Sequence, residues 1–148
     1  MNYMHSNKIA HRDIKPENIL IDDIHNLQIK LTDFGFATYF DEKDKMDEVL
    51  GSPLYMPPEI VKHEKYTSKV DVWSAGVVAY ILLCGRPPFF GTTKDEVYNS
   101  IKNDILTFRT KEWGKISDDA KEFITFALNK DPEQRSTAEE LLNHTWML

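Results

Sequence analysis

The stretch from Val70 to Cys84 constrains this chain more than any other. Val70, Val72, Trp73, Ala75, Val77, Val78, Tyr80, Ile81, Leu82 and Leu83 are apolar nearly all the way around a helical wheel. A surface helix carries one apolar stripe, whereas a helix apolar on every side has to be enclosed by other elements. The sequence predicts it over Lys69 to Cys84, with Ser68 placed to cap it and Gly85, then Pro87-Pro88, to stop it. Trp73, Val78 and Leu82 are expected in the core. A chain of 148 residues, 41% hydrophobic and 28% charged, has a globular profile and enough length for one domain around such a helix.

The remaining periodicities supply the enclosure. Thr93 with Glu96 forms a capping-box pattern ahead of Val97, Ile101 and Ile105. Ser117 opens an amphipathic stretch with Ala120, Phe123, Ile124, Ala127 and Leu128 on one stripe, and Ser136 with Glu139 repeats the box before Leu141-Leu142. Upstream, Ile19 to Ile21 and Leu27 to Leu31 read as short strands around the turn Asp22-Asp23-Ile24-His25-Asn26. The first seven residues fit the last turns of a helix, and Lys8 to Asn18 a polar loop that Pro16 keeps from being regular helix. Asp33 to Glu59 reads as a long irregular segment, and one of that length is usually functional or disordered. The reading is one mostly helical unit around a buried helix, with a small hairpin near its N-terminal end.

Charge and composition remove several functions. Lys+Arg total 18 against Asp+Glu 24, a net charge of −6, which argues against nucleic acid as a partner. A single cysteine, Cys84, excludes an intrachain disulfide and a multi-cysteine zinc site, and the five histidines lack metal-ligand spacing. The opening residues have no apolar core of signal-peptide length, and the longest apolar run is too short for a membrane span, so no membrane partner is expected.

The chemistry concentrates in ordered motifs. His11-Arg12-Asp13-Ile14-Lys15-Pro16-Glu17-Asn18 resembles the catalytic loop of eukaryotic protein kinases, and Asp33-Phe34-Gly35 follows at that family's distance. Pro57-Pro58-Glu59 stands where the family writes Ala-Pro-Glu. Asp71-Val72-Trp73-Ser74-Ala75-Gly76 resembles the start of its central buried helix. Arg135 is similar to the arginine that pairs with the Glu of Ala-Pro-Glu, here Glu59. Each tripeptide alone is a weak signal; five in order along the whole chain are specific. The resemblance implies a mainly α fold, a kinase-like C-terminal lobe with a small β-hairpin and without the β-rich N-terminal lobe. On this reading residues 1–148 are a partial kinase domain, with catalytic loop 11–18, activation segment 33–59 and helical remainder 68–148.

Phosphoryl transfer needs positioning and charge neutralisation above all. The resemblance implies Asp13 as acceptor of the substrate hydroxyl proton. Asn18 and Asp33 would be oxygen ligands of Mg²⁺, and Lys15 the cation at the γ-phosphate of ATP. Ser52 would bond Asp13 and Lys15, Leu20 would pack beneath adenine, and Asp71 would hold the catalytic-loop backbone from behind. His11 and Phe34 would join the family's hydrophobic spine. Lys15, two residues after Asp13, and Gly51-Ser52-Pro53-Leu54-Tyr55-Met56 resemble the serine/threonine form. Glu17, counted with the ATP-site residues, would also face a basic residue upstream of the target Ser or Thr, so protein substrates with basic upstream residues are expected. Val49, Pro53 and Met56 would line an apolar pocket for the residue after the target. The family implies a cytoplasmic or nuclear location.

The acidic run Asp41 to Glu48 contains no Ser or Thr. Many kinases phosphorylate this loop so that the phosphate pairs with the arginine of His-Arg-Asp, here Arg12. Glu48, helped by Asp47, is expected to substitute for it constitutively. This loop, Asp33 to Ala37, Tyr80 to Phe89 and Leu141 to Trp146 resemble the calcium/calmodulin-dependent group, and within it the calcium-dependent protein kinases of plants and protists. No Asp-x-Asp-x-Asp-Gly calcium loop, no Gly-x-Gly-x-x-Gly and no lysine of the Val-Ala-Ile-Lys type occurs in the 148 residues. Two readings follow. One is a serine/threonine kinase represented by its C-terminal lobe, inactive without the N-terminal lobe. The other is a truncated, inactive interaction or decoy module. Retention of Asp13, Lys15, Asn18 and Asp33 favours the first, and Met1 as the opening residue favours the second. Around Phe34 and Leu20 the lobe is expected to expose apolar surface.

Overall fold

A computed structural model describes residues 1–41, 43 and 45–148. Helix α3, Lys69–Cys84, is the buried axis: Val72, Trp73 and Val77 are fully enclosed, and Val70, Val78 and Tyr80 nearly so. Each such side chain contributes roughly 1.5–3 kcal/mol by leaving water. Trp73 stacks on Phe89 with ring centroids 5.5 Å apart and planes 9° from parallel. The helix stops at Gly85, which takes the left-handed φ of 76° that a side chain would strain. Leu82 departs from expectation. It is 77% exposed, because the last turn of α3 emerges from the packing that encloses the rest.

The helix starts also deviate in detail. Ser68 occupies the cap position of α3 without a side-chain bond, and the Lys69 amide donates to Thr67 Oγ1 instead (3.4 Å). Helix α4, Lys94–Asn103, is capped by Thr93, while the Glu96 carboxylate reaches back to the Thr92 amide at 2.7 Å. Because α4 ends at Asn103, Ile105 lies beyond it and is 84% exposed rather than on its apolar stripe. Short α5, Thr110–Trp113, buries Trp113 against Tyr80. Ser117 caps α6, Asp118–Ala127, whose Ala120, Ile124 and Ala127 are buried as its stripe requires. The final capping box is shifted by one residue. Thr137 and Glu140, not Ser136 and Glu139, bond reciprocally and open α7, Ala138–Leu142. The Ser-Thr-Ala-Glu-Glu sequence satisfies both registers.

The N-terminal part holds little sheet. Helix α1, Asn2–Ser6, precedes β1, Ile9–Ala10. The hairpin forms from β2, Ile19–Asp23, and β3, Gln28–Leu31, antiparallel with Ile21 opposite Ile29. The segment read as irregular contains β4, Thr38–Tyr39, which pairs with β1, and α2, Pro58–Val61. No helix among the described residues is long and apolar enough to cross a membrane.

Candidate active site

The site is assembled from two loops laid against α3 and α2. At the first turn of α3, Asp71 is fully buried and accepts the His11 amide on Oδ2 and the Arg12 amide on Oδ1, both at 2.8 Å. His5 Nε2 also lies 2.9 Å from Asp71 Oδ2. This carboxylate fixes the loop while Arg12 adopts a φ of 69°, a conformation that costs a side-chain-bearing residue about 1–3 kcal/mol.

Beyond Arg12 the loop brings Asp13 into the centre of the site. Ser52 Oγ donates to Asp13 Oδ1 at 2.9 Å, Lys15 Nζ lies 2.8 Å from Asp13 Oδ2, and Lys15 Nζ donates to Ser52 Oγ at 2.9 Å. Burial opposes ionisation of Asp13. The hydrogen bonds from Lys15, Ser52 and Asn18, with the lysine charge, outweigh it and hold the carboxyl below its usual range. The Lys15 ammonium is raised, first by its hydrogen bond to Asp13 and also by the charges of Glu17 and Asp33. Ser52 reaches this triangle from the distant segment because Gly51 takes a φ of 110°. A Cβ there would stand 2.9 Å from the Arg12 carbonyl oxygen.

Asn18 is buried and donates from Nδ2 to the Asp13 carbonyl at 2.9 Å and to Asp13 Oδ2 at 3.2 Å, which leaves its amide oxygen as the acceptor for a cation. Asp33 is exposed at a φ of 56°, with Oδ1 accepting the Gly35 amide at 3.2 Å. Two hard oxygen groups suit Mg²⁺, which keeps several ligands from water and substrate phosphates. Among the described residues no group of three or more His, Cys, Asp or Glu could hold a metal ion. The donor set therefore fits Mg²⁺ only together with phosphate oxygens.

Glu17 and Leu20 flank the centre and are exposed, Leu20 at 51%. His11 Nε2 donates to the Thr32 carbonyl at 2.9 Å, while its ring meets Phe34 edge-on at 5.0 Å. Of the proposed apolar pocket, Val49 and Pro53 are exposed, but Met56 is buried, its sulfur 3.3 Å from Tyr98 Oη. Met56 belongs to the core rather than to an open pocket wall. The expected pairing of Arg12 with Glu48 forms, Nη1 to Oε2 at 2.6 Å, and Arg12 Nε donates to the Phe36 carbonyl. Two members of the acidic run, Glu42 and Asp44, lie outside the described residues. Sequence reasoning missed Tyr66, whose hydroxyl accepts from Arg12 Nη1 at 3.2 Å and donates to the Glu48 carbonyl at 2.9 Å. Nothing local marks it: the bridge between Met46 and Tyr66 brings it there from 54 residues away. Behind the site, Glu59 and Arg135 form a bidentate pair at 2.6 and 2.9 Å, both buried.

Residues 1–147 match a family model described as "Protein kinase domain". The chain is 45% identical over 144 residues to Calcium-dependent protein kinase 10 of Arabidopsis thaliana, covering 97% of this chain and 26% of that protein. It is 42% identical over 144 residues to Calcium-dependent protein kinase 16 of Oryza sativa subsp. japonica, with 97% and 26% covered. The chain spans about a quarter of the length of these curated relatives.

Proposed function

Because this chain belongs to the protein kinase family, we propose that its Asp13 cluster transfers the γ-phosphoryl group of ATP to Ser or Thr hydroxyls of protein substrates. The observation that carries this reading is the closed triangle Asp13–Lys15–Ser52 beside Asn18 and Asp33. Held low, Asp13 is a carboxylate throughout the neutral range and orients the attacking hydroxyl as its acceptor. It takes the proton as the new P–O bond forms and the bond to the β-phosphate oxygen breaks. Lys15 pairs with Asp13 and also feels the charge of Asp33, which supports a role for its ammonium at the oxygens of the moving phosphoryl group. Mg²⁺, when bound through Asn18 and Asp33, would supply neutralisation of the phosphate charge.

Exposed Glu17 supports a preference for basic residues upstream of the target, and the ion pair of Arg12 with Glu48 supports an activation segment ordered without phosphorylation. The ATP consumed is an intracellular nucleotide, which supports a cytoplasmic or nuclear location. The relatives' names carry calcium dependence, and a calcium sensor would lie outside these 148 residues, which hold no calcium loop.

Leu20, Ile29 and Phe34, 51%, 62% and 50% exposed, favour a second reading, an interaction module that presents this apolar face without catalysing transfer. A chimera separates the two. The part of Calcium-dependent protein kinase 10 that precedes the matched region is joined to Met1 and assayed with Mg·ATP on serine, threonine and tyrosine peptides carrying an upstream arginine. The expected result is transfer to Ser and Thr but not Tyr, lowered about 10²–10⁴-fold by Asp13→Asn. The 148 residues alone are expected to give no turnover. A folded chimera that binds Mg·ATP by calorimetry without transfer would establish the second reading.

A further inference from the structure

The C-terminal end of the chain closes over a histidine that the phosphoryl-transfer reading does not use. After α7 the chain passes Asn143 and His144 into a single 3-10 turn, Thr145–Met147. His144 is wedged between two rings of α6: Phe123 and Phe126 each meet it edge-on, with centroids 5.7 Å away. Its side chain is only 9% exposed. Trp146 packs 4.8 Å from Phe123, so turn and helix are joined by aromatic contacts around one imidazole.

The hydrogen bonds of that ring define its protonation state. The Trp146 amide donates to His144 Nδ1 at 3.1 Å and so caps the turn. A backbone amide cannot accept, so Nδ1 is bare and the proton of the neutral ring sits on Nε2, which faces Glu122 Oε2 at 3.4 Å. A second proton would enter at Nδ1 and set two donors against each other, which breaks the cap. Glu122 attracts the charged ring, but it is 57% exposed and screened by water. The other charged residues on the helices beside the ring are Asp118, Asp119 and Lys121 of α6 and Glu139 and Glu140 of α7. Lys121 is paired with Asp118 at 2.8 Å, and Glu140 accepts the Thr137 amide at the start of its own helix. Among the described residues Glu122 alone forms an ion pair with His144, and its screened attraction does not compensate the loss at Nδ1.

We propose that His144 is a proton-operated latch: neutral, it caps the C-terminal turn and seats Trp146 on α6; protonated, it releases Thr145 to Leu148 and uncovers Phe123 and Phe126. The bistable element is the turn itself. Its backbone bonds run from the Met147 amide to the His144 carbonyl (2.8 Å) and from the Leu148 amide to the Thr145 carbonyl (3.3 Å), and a terminus held so sparsely opens at low local cost. Histidine changes charge between about pH 5 and 8, so mild acidification is enough to operate the latch. It is separate from the phosphoryl-transfer reading and stands or falls without it.

The test is acrylamide quenching of tryptophan fluorescence in the 148-residue chain. Trp73 and Trp113 are fully buried, so the change reports Trp146. The quenching constant should rise at least about twofold from about pH 8 to about pH 5. His144→Asn places a side-chain oxygen at the cap and takes up no proton, so its quenching should stay low across that range. His144→Ala has no cap, so its quenching should be high throughout. On the parent chain, NMR should show the Trp146 amide shifting with the same midpoint as the His144 ring protons, a reading that needs no variant. The other histidines remain in His144→Asn, so a general loosening in acid would raise its quenching as well, and that result overturns the latch. It is overturned equally if the parent does not respond to acidification, or if the Trp146 amide titrates apart from the His144 ring.

Discussion

Replacing Glu59 by alanine removes one partner of an ion pair whose members are 2% and 0% exposed. Arg135 would keep its bonds from Nε to the Asn129 carbonyl and from Nη1 to the Lys69 carbonyl, and its place 5.1 Å over the Trp73 ring. It would lose both carboxylate oxygens at a site that is closed to solvent. Stranding a buried charge in this way costs about 3–5 kcal/mol. That is a large part of the 5–15 kcal/mol that typically holds a domain folded. Urea unfolding followed by tryptophan fluorescence measures it, with Trp73 beneath the guanidinium as a reporter. The midpoint should fall while the denaturant slope stays constant, the signature of lost stability rather than a changed denatured state. The double variant Glu59→Ala/Arg135→Leu should cost clearly less than the sum of the single ones, because it strands no charge. It should not return to parent stability, since the Asn129 and Lys69 carbonyls lose their donor, at about 1–3 kcal/mol for each group left unpaired. A loss below about 1 kcal/mol for Glu59→Ala, or additive single variants, would refute the reasoning.

Three further outcomes are expected. Glu48→Ala removes the exposed partner of Arg12, so it should cost no more than about 1 kcal/mol in thermal unfolding while lowering transfer in the active chimera; if transfer is unaffected, Glu48 does not stand in for a phosphate. Gly51→Ala forces a side chain into a φ of 110° with 2.9 Å to the Arg12 carbonyl, and chemical denaturation should show a loss of about 1–3 kcal/mol. The Asp13 carboxyl is held below its unfolded value of about 3.9, so its interactions stabilise the fold above that pH and are lost as pH falls through the folded value. The stability gap between parent and Asp13→Asn should therefore shrink on acidification from neutral pH toward pH 3, and a gap independent of pH would contradict it.

Much of this site was legible because its chemistry is local in sequence. His11 to Asn18 and Asp33 to Gly35 are short runs that the family resemblance picks out without any knowledge of the fold, and an all-round apolar helix announces the core it occupies. What was hidden depends on approach in space. Tyr66 carries no motif, yet it holds Arg12 and the Glu48 backbone together. Met56 had the right character for a pocket wall and was claimed by packing against Tyr98. Leu82 obeyed the apolar pattern and still faces solvent, because periodicity describes a helix and not the extent of what surrounds its end.

The strained residues show how fold and site are joined. Arg12 at a φ of 69° and Asp33 at 56° both hold left-handed backbone in the loops of the site, and Arg12 pays for its conformation through contacts that only the folded chain supplies. For Arg12 the compensation is Asp71, whose buried carboxylate receives two backbone amides, hydrogen bonds worth about 1.5–3 kcal/mol each when the acceptor is charged. Asp71 is placed by the first turn of α3, and α3 is placed by the burial of Trp73 and Val77. The same helix therefore anchors the hydrophobic core with one set of side chains and the Asp13 loop with another. Core packing and site geometry are coupled through one carboxylate, so loosening the core around Trp73 should be felt at Asp13 without touching it.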